Sequence, residues 1–112
     1  MRAFFHPDVD DLTIGVVLTA LADPYRRQIV RQLADGPHVQ TCSQFNLPVG
    51  KSTQTHHFRV LREAGIIQQH YAGTAIHNAL RKTDIQARFP GLLDAVVTAE
   101  RAGSQSDTSD QP

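Results

Sequence analysis

Two places in the chain carry side chains with chemistry to offer. Lys51–Gly65 reads KSTQTHHFRVLREAG: hydroxyls, basic residues and the adjacent pair His56–His57. The other is Cys42, the lone cysteine. Adjacent histidines suggest metal binding or acid–base work. Neighbours on a helix point about 100° apart, however, and a shared ion is better served by i, i+3 or i, i+4 spacing. His38, His70 and His77 could assemble a site that spacing does not reveal. Cys42 beside a histidine would suit nucleophilic chemistry, but no Gly-rich loop or acid pair accompanies it. The expectation is a protein that is not an enzyme and needs no cofactor.

A different chemistry fits the first stretch better. On a helix, Phe58 and Leu61 define a buried edge, and Ser52, Thr55, His56, Arg59 and Glu63 lie opposite. Lys51 and Thr53 fall in the first turn, where free N–H groups and the helix dipole attract phosphate. Such a helix packs by one edge and offers the other to a polyanion. The charge distribution agrees. Net charge is zero, yet Pro24 to Arg88 holds nine basic and three acidic residues, and the compensating acids lie towards both ends.

The flanking segments must position that helix. The 112 residues, 40% hydrophobic and 20% charged, suit one small domain. Residues 11–22 form an apolar helix that should be buried on more than one side. Asp23 caps the next helix, with Pro24 at its first position and Tyr25, Ile29, Val30 and Leu33 on one face. Arg26, Arg27 and Arg31 point away, and Gly36-Pro37 stops the helix. Thr41 caps one or two turns through Phe45, and Asn46, Pro48 and Gly50 turn the chain. The Lys51 helix then begins, capped by Gly50 or Ser52, and ends at Gly65 in the left-handed position. From Ile66 the period becomes alternating around Ala72-Gly73-Thr74, the pattern of a β-hairpin. A short helix capped by Thr83 or Asp84 and another after Pro90 complete the order. Residues 1–102 form the domain, and 103–112, with no apolar residue after Ala102, form a disordered tail.

Short helix, turn, longer helix, hairpin is a helix-turn-helix followed by a wing. The predicted class is mainly α (α+β), a winged helix-turn-helix with a two-stranded wing. Two segments, LTALADPYRRQIVRQLADGP and KSTQTHHFRVLREAGII, resemble the opening helices and the recognition helix of the ArsR/SmtB family of winged-helix transcriptional repressors. The resemblance spans about Leu12 to Phe89 and reaches the last helix. It implies a homodimer that binds double-stranded DNA at a near-palindromic operator and usually represses; the signal expected to release it is an unknown non-metal or redox one. Metal-sensing members carry Cys-x-Cys in the short helix or His, Asp and Glu ligands on the last one. Here the first reads Thr41-Cys42-Ser43, and Gly91 to Ala102 has no His, so no regulatory metal is expected. The wing tip, Gly73-Thr74-Ala75, lacks the usual Arg or Lys.

Within this frame Lys51, Thr53 and His56 are expected to read base edges, and Ser52, Thr55 and Arg59 to contact phosphate. Gln54 could read adenine or be partly buried beside Phe58. His57 lies by the packed edge and is expected to bond across to the preceding helices. Cys42 has two readings: a small apolar residue inside the motif, or a redox sensor whose thiolate is favoured near a helix start. The apolar residues of the first and last helices exceed what one small core covers, which predicts that both serve as dimerisation helices. No apolar run spans a bilayer, the N-terminus lacks a signal-peptide pattern, and one cysteine forms no internal disulfide, so a cytoplasmic protein without a membrane partner is expected. The alternative function is a winged-helix protein-interaction module without DNA binding, favoured by the uncharged wing tip.

Overall fold

The computed structural model describes the backbone of residues 3–109 and the side chains of residues 3–103. A 3-10 turn at Val9–Asp11 leads into α1 (Ile14–Leu21) and α2 (Pro24–Asp35). The strand β1 (Gln40–Thr41) and a second 3-10 turn (Cys42–Gln44) precede α3 (Lys51–Glu63). The hairpin β2 (Ile67–Ala72) and β3 (Ala75–Leu80) follows, then α4 (Lys82–Arg88) and α5 (Leu92–Ser109). The fold is a winged helix-turn-helix of five helices and a three-stranded antiparallel sheet among the described residues.

The local signals act as their chemistry requires. The Asp23 carboxylate accepts from the backbone N–H groups of Tyr25 (2.8 Å) and Arg26 (3.2 Å). Burial acts to raise its pKa, but these two bonds outweigh that and hold the carboxyl below its usual range. Gly65 ends α3 at φ 85° and Gly73 turns the wing at φ 64°. The core joins Val17 and Leu21 of α1 and Ile29, Val30 and Leu33 of α2 to Phe58 and Leu61 of α3.

Four expectations change. The sheet has a third strand, since β1 pairs with β3 through Gln40↔Asn78 and Thr41↔His77. Two residues give no periodicity to read; the strand exists because β3 offers an open edge. Second, α4 is preceded by Arg81 as its cap residue, not Thr83 or Asp84. Arg81 Nε donates to the Asp84 carboxylate (3.0 Å), so Asp84 acts inside the first turn. Third, α5 continues to Ser109, so a disordered tail from residue 103 does not hold for 103–109; residues 110–112 lie outside the described residues. Once α5 is nucleated against α2, each added residue gains one backbone bond, and polar residues propagate the helix. Fourth, the apolar side of α5 is largely spent within its own chain. Val97 is 6% exposed, and Leu92, Leu93 and Val96 pack partly against the core. By contrast, α1 keeps Ile14, Val16 and Leu18 about half exposed (47%, 53% and 51%).

A polar network sits between sheet and helices. Asn78, fully buried, accepts from Gln69 Nε2 (2.8 Å) and donates to the Gln40 carbonyl (3.1 Å) and Cys42 Sγ (3.3 Å). Arg62 Nη1 donates to Gln69 Oε1 (2.7 Å), which links the end of α3 to the wing. The side-chain amides of Asn78, Gln69 and Gln40 all have partners, which burial makes necessary.

An extended N-terminal arm, unread in the sequence, lies along β2. Phe4 stacks on Tyr71 with ring centroids 4.9 Å apart, and His6 Nε2 accepts the Gln69 backbone N–H (3.0 Å). Arg81 Nη1 donates to the Pro7 carbonyl (2.8 Å). β2 is an edge strand, and the arm occupies its outer side.

Candidate nucleic-acid interface

The helix α3 presents the face its sequence implies. Lys51, Ser52, Thr53, Thr55, His56 and Arg59 are exposed, while His57, Phe58 and Leu61 are buried. Gly50 is the cap residue and offers no side-chain bond. The helix's first backbone bond runs from Gln54 N–H to the Gly50 carbonyl, so the amides of Lys51, Ser52 and Thr53 have no acceptor within the helix. That leaves the positive end of the helix dipole uncovered beside one lysine and three hydroxyls, a set suited to an anion.

Three anchors fix the helix in position. The rings of Phe45 and Phe58 meet edge-to-face at 5.1 Å. Gln54 Nε2 donates to the Cys42 carbonyl (3.1 Å), tying α3 back to the 3-10 turn. Gln54 is half-buried, as its place beside Phe58 implies. His57 Nδ1 accepts from Arg26 Nη1 (3.3 Å), and its ring stands 6.1 Å from that of Tyr25. Burial, then Asp23 acting in the opposite sense and Arg26 acting with burial, leaves the His57 pKa below its usual value. It is the structural histidine the sequence suggests. His56 points outward, and its Nδ1 accepts from Arg59 Nη2 (3.2 Å), so these two side chains act as one exposed pair.

The basic middle of the chain is less available than its count implies. Arg26 donates to the carbonyls of Ala20 (2.6 Å) and Thr19 (3.4 Å), and Arg27 to those of Leu21 and Ala22 (both 2.9 Å). The last carbonyls of α1 lack partners inside the helix, and two arginines from the start of α2 supply them. Arg27 also pairs with Glu100, and Arg31 donates to Asp35 (3.3 Å) and the Glu100 carbonyl (3.3 Å), which binds α2 to α5. Arg88 donates to the Leu12 carbonyl (2.6 Å). The adjacent arginines in the first turn of α2, five and six residues past the end of α1, were the available sign of this role. The exposed cations on the face of α3 are Lys51 and Arg59.

Cys42 is half-buried, and burial pushes its thiol pKa up against the bond from Asn78 that favours the thiolate. Burial thus acts against the thiolate that a redox sensor would use, and the Asn78 bond acts for it. His70 and His77 face each other across the wing with ring centroids 5.4 Å apart; no third His, Cys, Asp or Glu joins a metal-sized cluster among the described residues. No helix among the described residues is long and apolar enough to cross a membrane.

Comparison with known proteins agrees with this geometry. Residues 23–69, from the cap of α2 to the middle of β2, match the family model described as bacterial regulatory protein, arsR family. An uncharacterized HTH-type transcriptional regulator, YceK of Bacillus subtilis (strain 168), is 28% identical over 89 residues, covering 78% of this chain and 89% of that protein. The transcriptional repressor SdpR of the same organism is 28% identical over 80 residues, covering 71% of this chain and 89% of that protein. An ArsR-like transcriptional regulator from Rhodococcus sp. RHA1 has the same fold, with a TM-score of 0.56 and 24% identity over 85% of this chain and 83% of that one. The matched segment contains both the capped second helix and the exposed face of α3, and over it this chain is similar to bacterial regulatory proteins of the arsR family.

Proposed function

We propose that the chain is a cytoplasmic, homodimeric repressor that binds a near-palindromic operator through α3. The observation that carries this reading is the two-sided character of α3: one edge locked into the core, the other a continuous run of exposed hydroxyl, imidazole and cationic groups. Lys51, Thr53 and His56 are proposed to meet base edges in the major groove, and Ser52, Thr55 and Arg59 to meet phosphates. Gln54 holds α3 against the preceding turn. The similarity to SdpR supports repression. Titration of the chain onto the DNA upstream of its own gene, at several salt concentrations, tests this reading. Affinity should fall linearly on a log–log plot of binding constant against salt. The wing tip without a cation favours one other reading, a protein-interaction module, and that module would show no salt-dependent preference for its own upstream DNA.

Two substitutions separate the roles. Arg59→Ala should weaken binding to every DNA sequence tested and reduce the salt slope by about one, as loss of one phosphate contact does. An unchanged slope removes Arg59 from the interface. His56→Ala should instead relax base preference at one position per half-site, by about 1–3 kcal/mol. Because Arg59 bonds His56, a double variant that loses less than the two single effects combined would mark them as a coupled pair.

A further inference from the structure

The N-terminal arm has a direction. His6 meets Gln69, Phe4 meets Tyr71, and Ala3 borders the same hollow as Gly73 and Thr74. Each step towards the start of the chain is thus a step along β2 towards the wing tip. Phe4 is the anchor. Its ring lies between the Tyr71 ring, with planes 15° apart, and the Arg62 guanidinium, 4.8 Å from the Phe4 centroid. His6 and the Pro7 carbonyl tie the next residues to Gln69 and Arg81. The residue joined to Ala3 is Arg2, one peptide bond away, a step of about 3.8 Å between α-carbons.

The wing tip is where a cation is missing, since Gly73, Thr74 and Ala75 carry no charge. Yet the tip stands beside the exposed start of α3: Thr74 and Ala75 border one hollow with Lys51 and Thr55. DNA lying along the face of α3 would bring its backbone past the tip. We infer that the arm completes the DNA-binding surface by delivering Arg2 to the wing tip, where its guanidinium meets a backbone phosphate flanking each half-site. A guanidinium suits this task, because it stays charged and can hold a phosphate through two N–H groups. Phe4 is then a positioning residue, which acts on DNA only through where it holds the arm. The inference rests on the DNA-binding reading proposed above.

The test uses the full chain, with no tag at its start, in anisotropy titrations onto the upstream DNA at several salt concentrations. Arg2→Ala should weaken binding roughly tenfold and reduce the salt slope by about one per bound chain, and Arg2→Lys should keep the slope. Phe4→Ala should reproduce the loss with Arg2 still present, and adding Arg2→Ala to it should cost little more. In hydroxyl-radical footprints, Arg2→Ala should lose protection flanking each half-site and keep the protection under α3. A wild-type chain that binds DNA, with an unchanged slope in Arg2→Ala, overturns the arm contact and leaves the DNA-binding reading standing. Weaker binding by Arg2→Ala with its flanking protection intact would make Arg2 structural, and also overturns the contact. A Phe4→Ala chain that folds by circular dichroism and binds as the wild type does overturns the anchoring role. The Arg2 variants decide the inference even should Phe4→Ala fail to fold. A wild-type chain with no salt-dependent DNA binding removes the DNA-binding reading and the arm contact with it.

Discussion

Gly65→Ala should cost the domain about 2–5 kcal/mol, a large share of the roughly 5–15 kcal/mol that keeps a small domain folded. Two effects combine. Alanine at φ 85° pays about 1–2 kcal/mol for left-handed backbone. Its Cβ would also collide with Cδ2 of Leu12, which is 2% exposed and has no room to retreat, and overpacking of this kind costs roughly 1–3 kcal/mol more. Gly73→Ala provides the internal control. It has φ 64° but nothing within 4 Å of an added Cβ, so it should show the backbone cost alone. Thermal unfolding followed by circular dichroism should place Gly65→Ala well below Gly73→Ala. Equal midpoints would show that Leu12 yields and that the collision carries no weight. Gly65 also joins α3 to β2, so a folded Gly65→Ala chain should carry its wing at a different angle to the recognition helix.

The second large effect concerns assembly. If the proposed dimer pairs through α1, Val16→Asp combined with Leu18→Asp should convert it to a folded monomer at the 12.4 kDa chain mass, and lower affinity for the proposed operator by roughly 10²- to 10⁴-fold through loss of the linked half-site. Both residues are about half exposed, so the charges meet water in the monomer and only the paired state excludes them. Val97→Asp is the contrasting variant. Its side chain lies in the chain's own core, and it should unfold the protein whether or not a dimer forms. Sedimentation velocity and circular dichroism together distinguish the outcomes. A double variant that remains a dimer and keeps its DNA affinity would move the interface away from α1.

The sequence made legible what is decided within a few residues. Asp23-Pro24 starts α2, Gly65 ends α3, the alternation after Ile66 makes the wing, and Phe58 with Leu61 sets which side of α3 faces out. The same local logic separated His56 from His57. What escaped depends on partners far along the chain. β1 has only the two residues that β3 selects, and the arm has no pattern until Tyr71 and Gln69 are in place beside it. The arginines of α2 look like free charge in the sequence, because the carbonyls they serve become acceptors only when α1 ends against them. Cys42 follows the same rule. Helix position argues for a thiolate, whereas burial, which only the folded chain reveals, pushes the thiol pKa up.

The arm also bears on the order in which the molecule assembles. Its bonds and those of the adjoining turn join residues far apart: His6 to Gln69 across 63 positions, Pro7 to Arg81 across 74, and Leu12 to Arg88 across 76. None can form until the intervening chain is folded back, and closing so long a loop carries an entropic cost that α2, α3 and the hairpin do not face. The helices and wing should therefore condense first, and the arm should zip onto β2 last. The last segment to fasten is the first to fray, because its opening leaves the core undisturbed. Phe4 would leave with it, baring the Tyr71 ring and the Arg62 guanidinium that it covers, with no need for the domain to unfold.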